Sequence, residues 1–304
     1  MSGGFEVIQA GIQASIQDLG RIGLTQIGVS RAGALDEFAF HHANKLLGNK
    51  YGSNMLEILL GGVKLKAKRA TTFILTGAKV DATINNKPIE IWKTYKIDDG
   101  DILNLGFATC GVRVYLAVKD GFNIEQKYGS CSVNIKEKLG GKQLQAKEFL
   151  PFTCNCLSDN RKLPNKYLQN YDKLLIMRVV AGYQWDMFNH EEREKFFNTL
   201  YRVTGQNDRM GYRLSGDKIV STCKGIISEP IAYGSVQIPT HGEPIVLLKE
   251  RQTIGGYPKI GAVIPVDCFR LAQAKQDTHV KFKLVSLDMA RDINIEFYKF
   301  FKEF

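Results

Sequence analysis

Gln252-Thr253-Ile254-Gly255-Gly256-Tyr257-Pro258-Lys259 sets two adjacent glycines among an amide, a hydroxyl, a phenol and an ammonium. Apolar strands are predicted on either side, at Pro244–Leu248 and Ala262–Val266. Glycine tolerates positive φ and lets another molecule approach the main chain closely. Successive exposed N–H groups can then form a nest for an anion or a carbonyl oxygen. Gln252, Thr253, Tyr257 and Lys259 would surround that nest with donors, an acceptor and a positive charge. The plainer reading of a glycine pair between strands is a turn or bulge, so the pattern gains weight only from other motifs.

Asn207-Asp208-Arg209-Met210-Gly211-Tyr212-Arg213 is a second concentration of reactive types. A carboxylate can act as a base or hold a metal, and a guanidinium clamps carboxylate or phosphate through two parallel bonds. The structural alternative is an Asp–Arg pair that fixes a loop. Nearer the N-terminus, Gln17-Asp18-Leu19-Gly20-Arg21 and Gly33-Ala34-Leu35-Asp36 flank a loop ahead of a helix. Asp36 reads first as the cap of that helix, although Arg21 and Asp36 could equally line a cleft. Glu57 interrupts the apolar strand Met55–Leu60 and needs a partner or a cavity. With Asn44, on the polar side of its helix, it reads as structural.

Other chemistries lack their signatures. There is no GxxxxGK[ST] phosphate loop, GxSxG nucleophile elbow or HExxH metal helix, and no Ala-Met-Lys-Met biotin-carrier sequence. The six cysteines, at 110, 131, 154, 156, 223 and 268, include one close pair and no nearby histidine to complete a zinc spacing. They read as reduced thiols.

The elements that must position these groups are mainly strands. Short apolar or alternating runs predict Thr72–Leu75, Val80–Ile84, Ile89–Trp92, Ile102–Leu105 and Arg113–Val118. A second series comprises Leu174–Ala181, Ile219–Val220, Gly225–Ile227, Ser235–Ile238, Pro244–Leu248, Ala262–Val266 and Val280–Val285. Helices are few. One is predicted over Asp36–Leu47, another from Asn189 with Glu192 completing a capping-box-like start, and a short third over Asp267–Lys275. The last begins at Asp288 and gathers Ile293, Phe297, Phe300, Phe301 and Phe304 on one face, which packs by default on its own domain. The Lys- and Asn-rich segment from Cys154 to Asp172 is the linker candidate. Many short strands with few helices imply barrels or sandwiches.

At 304 residues, 44% hydrophobic and 24% charged, the chain has the composition of a soluble globular protein of two domains. The formal charge of +10 comes from scattered lysines without a dense basic run, so no nucleic-acid partner is expected. The start, MSGGFEVIQAG, is not a signal peptide, and no apolar run approaches the roughly 20 residues that cross a bilayer. A cytoplasmic protein is expected.

Four separated segments then carry a family resemblance: QDLGRIGLTQIGVSRAGALD at 17–36, ANKLLGNKYGSNMLEILLGG at 43–62, NDRMGYRLSG at 207–216, and 228–273 with SEPIAYGSVQIPTHGEPIVLL and RQTIGGYPKIGAVI. In this order they closely resemble the C-type subunit of 5-oxoprolinase (PxpC), also called KipA. That family is related to the carboxyltransferase region of urea carboxylase and to the allophanate hydrolase subunit family. The resemblance implies a mainly β protein of two cyclophilin-like β-barrel domains with a few short helices, at 1–172 and 173–304. It implies a subunit of an ATP-dependent amide (lactam) hydrolase that opens 5-oxoproline to glutamate, inactive without an A-type subunit and a small B-type, KipI-like subunit. ATP, with or without Mg, is the implied co-substrate. Asp208, Arg209, Tyr257 and Lys259 become catalytic candidates, and Arg21, Asp36, Arg213, Gln252, Thr253, Gly255 and Gly256 substrate-binding ones. Two alternatives stay open: biotin-dependent carboxyl transfer to urea or a related amide, and a non-enzymatic KipA-like regulator that binds the kinase inhibitor KipI. The chain departs from the family at Asn207, where serine is usual, at Ala32-Gly33, where serine-glycine is usual, and at Cys131, where arginine is usual.

Overall fold

The computed structural model describes residues 2–171, 174–223 and 225–302, with only the backbone of Ser2. The chain forms two compact units: residues to Arg21 with Ala32–Tyr171, and Ile22–Arg31 with the chain beyond Tyr171. The expected domain junction at 172–173, and Phe304 of the C-terminal face, lie outside the described residues.

The first unit contains β1 (Ser2–Ala10), β2 (Gln13–Gln17), α1 (Glu37–Leu47), β3 (Met55–Leu59), β4 (Val63–Lys68), β5 (Thr71–Ile84), β6 (Lys87–Ile89), β7 (Thr94–Ile97), β8 (Ile102–Val118) and β9 (Phe149–Thr153). Its nine strands make one curled sheet in the order β2-β3-β8-β4-β1-β9, with β5 joining β8 to β6 and β7. The sequence of β4, Val-Lys-Leu-Lys-Ala-Lys, alternates between buried and half-buried, as a strand covered on one face must. Four predicted strands merge into two long ones. β5 and β8 run through the expected breaks because shifts of register at Gly77, Lys79 and Val80 absorb extra residues as bulges. Gly77 takes φ 89° there, and a Cβ on it would lie 2.3 Å from the Arg113 carbonyl oxygen. The Asn85-Asn86 turn has φ of 48° and 65°, the geometry of a two-residue hairpin. Of the predicted strand Ile89–Trp92 only Ile89 lies in a strand, at the end of β6, and residues 90–92 lead through the turn to β7. Phe5, Leu56, Leu65, Phe73, Val114 and Phe152 lie in the main core. α1 covers a second cluster with Phe40, Leu47, Ile74 and Tyr115.

The second unit contains β10 (Leu175–Ala181), α2 (His190–Asn198), β11 (Tyr201–Asn207), β12 (Gly211–Ser215), β13 (Glu229–Pro230), β14 (Ser235–Gln237), β15 (Ile245–Leu247), β16 (Ile254–Gly255), β17 (Lys259–Val263), α3 (Pro265–Leu271), β18 (His279–Leu284) and α4 (Leu287–Lys302). Seven strands close a barrel in the order β10-β17-β14-β15-β12-β11-β18. β10 and β18 pair in parallel, with Met177 opposite Phe282. Closure leaves the barrel no free edge. The fold is thus mainly β, as the residues imply, with one closed barrel and one curled sheet. Ile219–Val220 and Gly225–Ile227 are not strands: these short apolar pairs find no ladder partner. Asn189 caps α2 by accepting from Glu192 N at 2.9 Å. α4 packs on its own unit through Ala290 and Ile293 against Ile264 and Val285, while Phe300 stays exposed.

Candidate functional site

β13 and β16 form a two-stranded ribbon attached to the barrel, Glu229 opposite Gly255 and Pro230 opposite Ile254. Ile231 N extends it by donating to the Thr253 carbonyl at 3.1 Å, and Gly234 N donates to Leu247 O at 2.8 Å where the ribbon joins β14. Neither Gly255 nor Gly256 takes positive φ. The reason for glycine is space. A Cβ on Gly255 would lie 2.7 Å from Ile231 Cδ1 and 2.9 Å from Gln237 Nε2, and one on Gly256 would lie 3.0 Å from the Ile226 carbonyl oxygen. The close approach expected of a ligand is therefore made by the protein's own neighbouring segment, with Ile226 N donating to Gly256 O at 2.8 Å. Gln252 and Tyr257 are exposed on this ribbon and Thr253 is half-buried.

At one end of the ribbon Lys259 is buried and ion-paired with Glu229. Gln184, also buried, locks the pair: its Nε2 donates to Glu229 Oε1 at 2.8 Å and its Oε1 accepts from Lys259 N at 2.8 Å. Burial opposes the Glu229 charge, but hydrogen bonds from Lys259, Tyr183 and Gln184 outweigh it and hold the carboxyl below its usual range. The bond to Glu229 raises the Tyr183 phenol. Lys259 is thus presented as a fixed cation.

The two chemistry-bearing motifs meet. β12 pairs with β15, Gly211 opposite Leu247. The pairing continues as Leu248 N donates to Met210 O at 2.8 Å and Glu250 N to Arg209 O at 2.9 Å. Arg209 Nε then forms an ion pair with Glu250, both buried. Asp208 is exposed, and its Oδ1 accepts from Met210 N at 2.7 Å and Gly211 N at 3.3 Å, shaping the β11–β12 turn. Among the described residues no group of three or more His, Cys, Asp or Glu is placed to hold a metal, so no ligand set assembles around Asp208. Arg213 is exposed on β12, and its N–H donates to Asn207 Oδ1 at 3.0 Å. Asn207 therefore stabilises the turn itself.

Three residues beside these motifs carry no signal strong enough to single them out in the sequence: Tyr233, Lys249 and Arg251. The Lys249 ammonium lies 5.1 Å and the Arg251 guanidinium 6.0 Å from the centroid of the Tyr233 ring, within the range of cation–π attraction. Arg251 Nε donates to Ile231 O at 2.9 Å and Nη1 to Leu248 O at 3.2 Å. Burial lowers the Arg251 guanidinium from its usual range, and the Arg31 charge adds to that. The available signal was the run Lys249-Glu250-Arg251 directly after an apolar strand.

The first unit holds the remaining candidates. Asp36 is fully buried; its Oδ1 caps α1 at Ala39 N, 3.1 Å, and its Oδ2 accepts from the Tyr171 hydroxyl at 3.0 Å. Arg21 is buried and donates through Nη2 to Ser132 O at 2.7 Å. Asp18 receives Ser130 Oγ and Ser132 Oγ, each at 2.6 Å, on Oδ1 and Cys131 N at 2.6 Å on Oδ2. Glu57 finds its partners in the Tyr115 hydroxyl at 2.7 Å, Leu35 N at 3.0 Å and Arg113 at 3.5 Å. Cys131 is a buried thiol, pushed up by burial.

The carboxyltransferase domain family, subdomain A and B, matches residues 27–284. The C-type subunit of the Haemophilus influenzae 5-oxoprolinase is 31% identical over 293 residues, covering 94% of this chain and 92% of that protein. Its counterpart in Escherichia coli, also a 5-oxoprolinase C-type subunit, is 32% identical over 305 residues, covering 98% and 96%. The solved urea amidolyase of K. lactis superposes with a TM-score of 0.91 at 25% identity over 98% of this chain, which spans 20% of that protein.

Proposed function

Because the chain belongs to the carboxyltransferase domain family, subdomain A and B, we propose that it is the C-type subunit of an ATP-dependent 5-oxoprolinase that opens the lactam of 5-oxoproline to glutamate. The observation that carries this reading is two-way coverage above 90% with two proteins bearing that subunit name. A- and B-type partner subunits complete the proposed assembly, which acts in the cytoplasm, and the isolated chain is expected to be inactive. Among the described residues no helix is long and apolar enough to cross a membrane.

A lactam is resonance-stabilised, and coupling to ATP overcomes that. In the proposed reaction the γ-phosphoryl group passes to the lactam carbonyl oxygen and ADP leaves. Water then adds to the activated carbon, C–N cleavage opens the ring to the amine and an acyl phosphate, and a second water hydrolyses that acyl phosphate to the carboxylate of glutamate and free phosphate. Developing negative charge on oxygen calls for donors and cations fixed in advance. The barrel unit supplies Lys259 and Arg209, each held by a carboxylate. Gln252, Thr253 and Tyr257 lie on the adjoining ribbon, and Asp208, exposed at its turn, is the proposed base.

The superposition with urea amidolyase favours a second reading, carboxyl transfer to urea or a related amide with biotin as carrier. Reconstitution with A- and B-type subunits, assayed with 5-oxoproline, urea and allophanate plus ATP, separates the two. Glutamate formed only when all three subunits are present is the expected result. Carboxylation of urea without glutamate formation would replace the first reading with the second.

A further inference from the structure

We infer that a pocket of about 270 Å³ in the first unit binds a small carboxylate with an apolar body, held by the Trp92 indole N–H and the Lys79 ammonium. None of the residues proposed to act on the lactam lines it. Its walls come from β5, from the turn between β6 and β7, and from the segment 162–168. Val80, Ile89, Ile91, Leu163 and Leu168 make the lining largely apolar. The volume lies just under the roughly 300–1,000 Å³ typical of ligand pockets, which limits the occupant to a small molecule. The walls are fixed in advance. Leu163 N donates to Trp92 O at 2.9 Å, Thr94 N to Arg161 O at 2.8 Å and Arg161 N to Thr94 Oγ1 at 2.7 Å. Lys162 Nζ donates to Glu90 Oε2 at 2.9 Å, a further tie between the turn and the segment.

Trp92 gives the first reason to expect a ligand. It is 4% exposed, yet its indole N–H has no hydrogen-bond partner among the described residues and is not sealed from solvent. A largely buried donor left unmatched is costly, and the open space that Trp92 borders is this pocket. The same residue takes φ 64°, an outlier for a bulky side chain. Its main chain is held there by Leu75 O, which accepts from Trp92 N at 2.6 Å, and by Leu163 N. Such strain persists only where the surroundings impose it, and it clusters at ligand sites. Lys79 gives the second reason. It is exposed, and no carboxylate pairs with it among the described residues. The β5–β8 ladder shifts register on both sides of it, and bulges re-aim side chains beside functional sites. Glu90, the carboxylate of the wall, is already engaged: its hydrogen bond from Lys162 holds it below its usual range. A carboxylate offers one oxygen to the indole and one to the ammonium, and its apolar body fills the rest.

Only binding by the intact chain is at stake, so a failed reconstitution of lactam opening leaves this site untouched. Benzoate is the probe, titrated into the full chain by calorimetry. Because the chain has two tryptophans, a Trp185→Phe background reports Trp92 fluorescence alone. Saturable binding with a change in Trp92 emission is expected. Benzyl alcohol has the body without the charge, and acetate the charge without the body. Each should bind about tenfold more weakly or worse. Lys79→Met and, read by calorimetry, Trp92→Phe should each weaken benzoate about tenfold, the loss of one charge-assisted hydrogen bond. Leu168→Trp, at an exposed position of the lining, should fill the pocket and abolish binding. Lys281→Gln, exposed on β18, should leave it unchanged. Circular dichroism of each variant separates lost binding from lost fold. No saturable binding of benzoate, equal binding of benzyl alcohol, or full binding by Lys79→Met and Leu168→Trp overturns the inference.

Discussion

Arg209→Met should be among the most destabilising single changes in the barrel unit. The substitution strands Glu250, which is 8% exposed, beside a partner position that is itself only 9% exposed. Breaking a buried ion pair from one side costs about 3–5 kcal/mol, chiefly because one charge stays buried without compensation. Main-chain bonds between the two segments survive the change, since Glu250 N still donates to Arg209 O at 2.9 Å. The loss is therefore electrostatic and local. Glu250→Leu should cost a similar amount for the mirror-image reason. The double variant should recover most of the stability, because two apolar side chains of similar volume carry no uncompensated charge. A double-mutant cycle by urea denaturation should return a coupling of about 4 kcal/mol or more, the summed single costs less the small cost of the double variant. Hydrogen exchange at β12 and β15 locates the weakening. Single variants each costing under about 1 kcal/mol and adding without coupling would falsify the claim that this pair joins the two motifs.

Acid should unfold the first unit partly through His42. Burial is the main cause that lowers this imidazole from its ordinary 6.5 to about 4, although its Nδ1–H donates to Phe38 O at 2.9 Å. The unfolded chain binds the proton first, so the contribution is complete above pH 6.5 and is lost as pH falls, by about 3 kcal/mol at pH 4. His42→Gln should flatten that part of the pH–stability curve, and an unchanged slope would contradict it. Gly234→Ala should lower Tm more than Gly255→Ala. The first places a Cβ at φ 83° and 2.2 Å from the Val263 carbonyl oxygen, whereas the second meets only side-chain ends at 2.7 and 2.9 Å. The reverse order would show that the ribbon cannot give. In timed alkylation followed by mass spectrometry, exposed Cys156 should be modified first, with Cys131 and Cys268 protected until unfolding, because both are buried with thiols pushed up by burial. Early labelling of Cys268 would mean that the packing around α3 opens in solution.

Signals confined to a few neighbouring residues were legible. Asp36 before an apolar helical stripe and Asn189 with Glu192 three residues on are local patterns, and both side chains cap as their chemistry requires. The two long strands were not legible, because a bulge resembles a break when the partner that continues the ladder lies some thirty residues away. The glycine pair was found but its reason was misread: the need for space comes from Ile226 and Ile231, which no local pattern ties to it. Lys249 and Arg251 stayed hidden for a related reason. Three consecutive charges after a strand look like a solvated turn, and only the return of the chain at Tyr233 shows where two of them point.

Residues 22–31 are grouped with the barrel while the sequence on both sides of them is grouped with the curled sheet. The backbone accordingly changes allegiance three times, near positions 21, 31 and 171, and no single cut yields both bodies whole. A fragment starting after Tyr171 would keep every barrel strand yet lack a decapeptide that includes Arg31. Supplying that decapeptide in trans replaces an intramolecular association with a bimolecular one, whose entropic cost the intact polypeptide never meets.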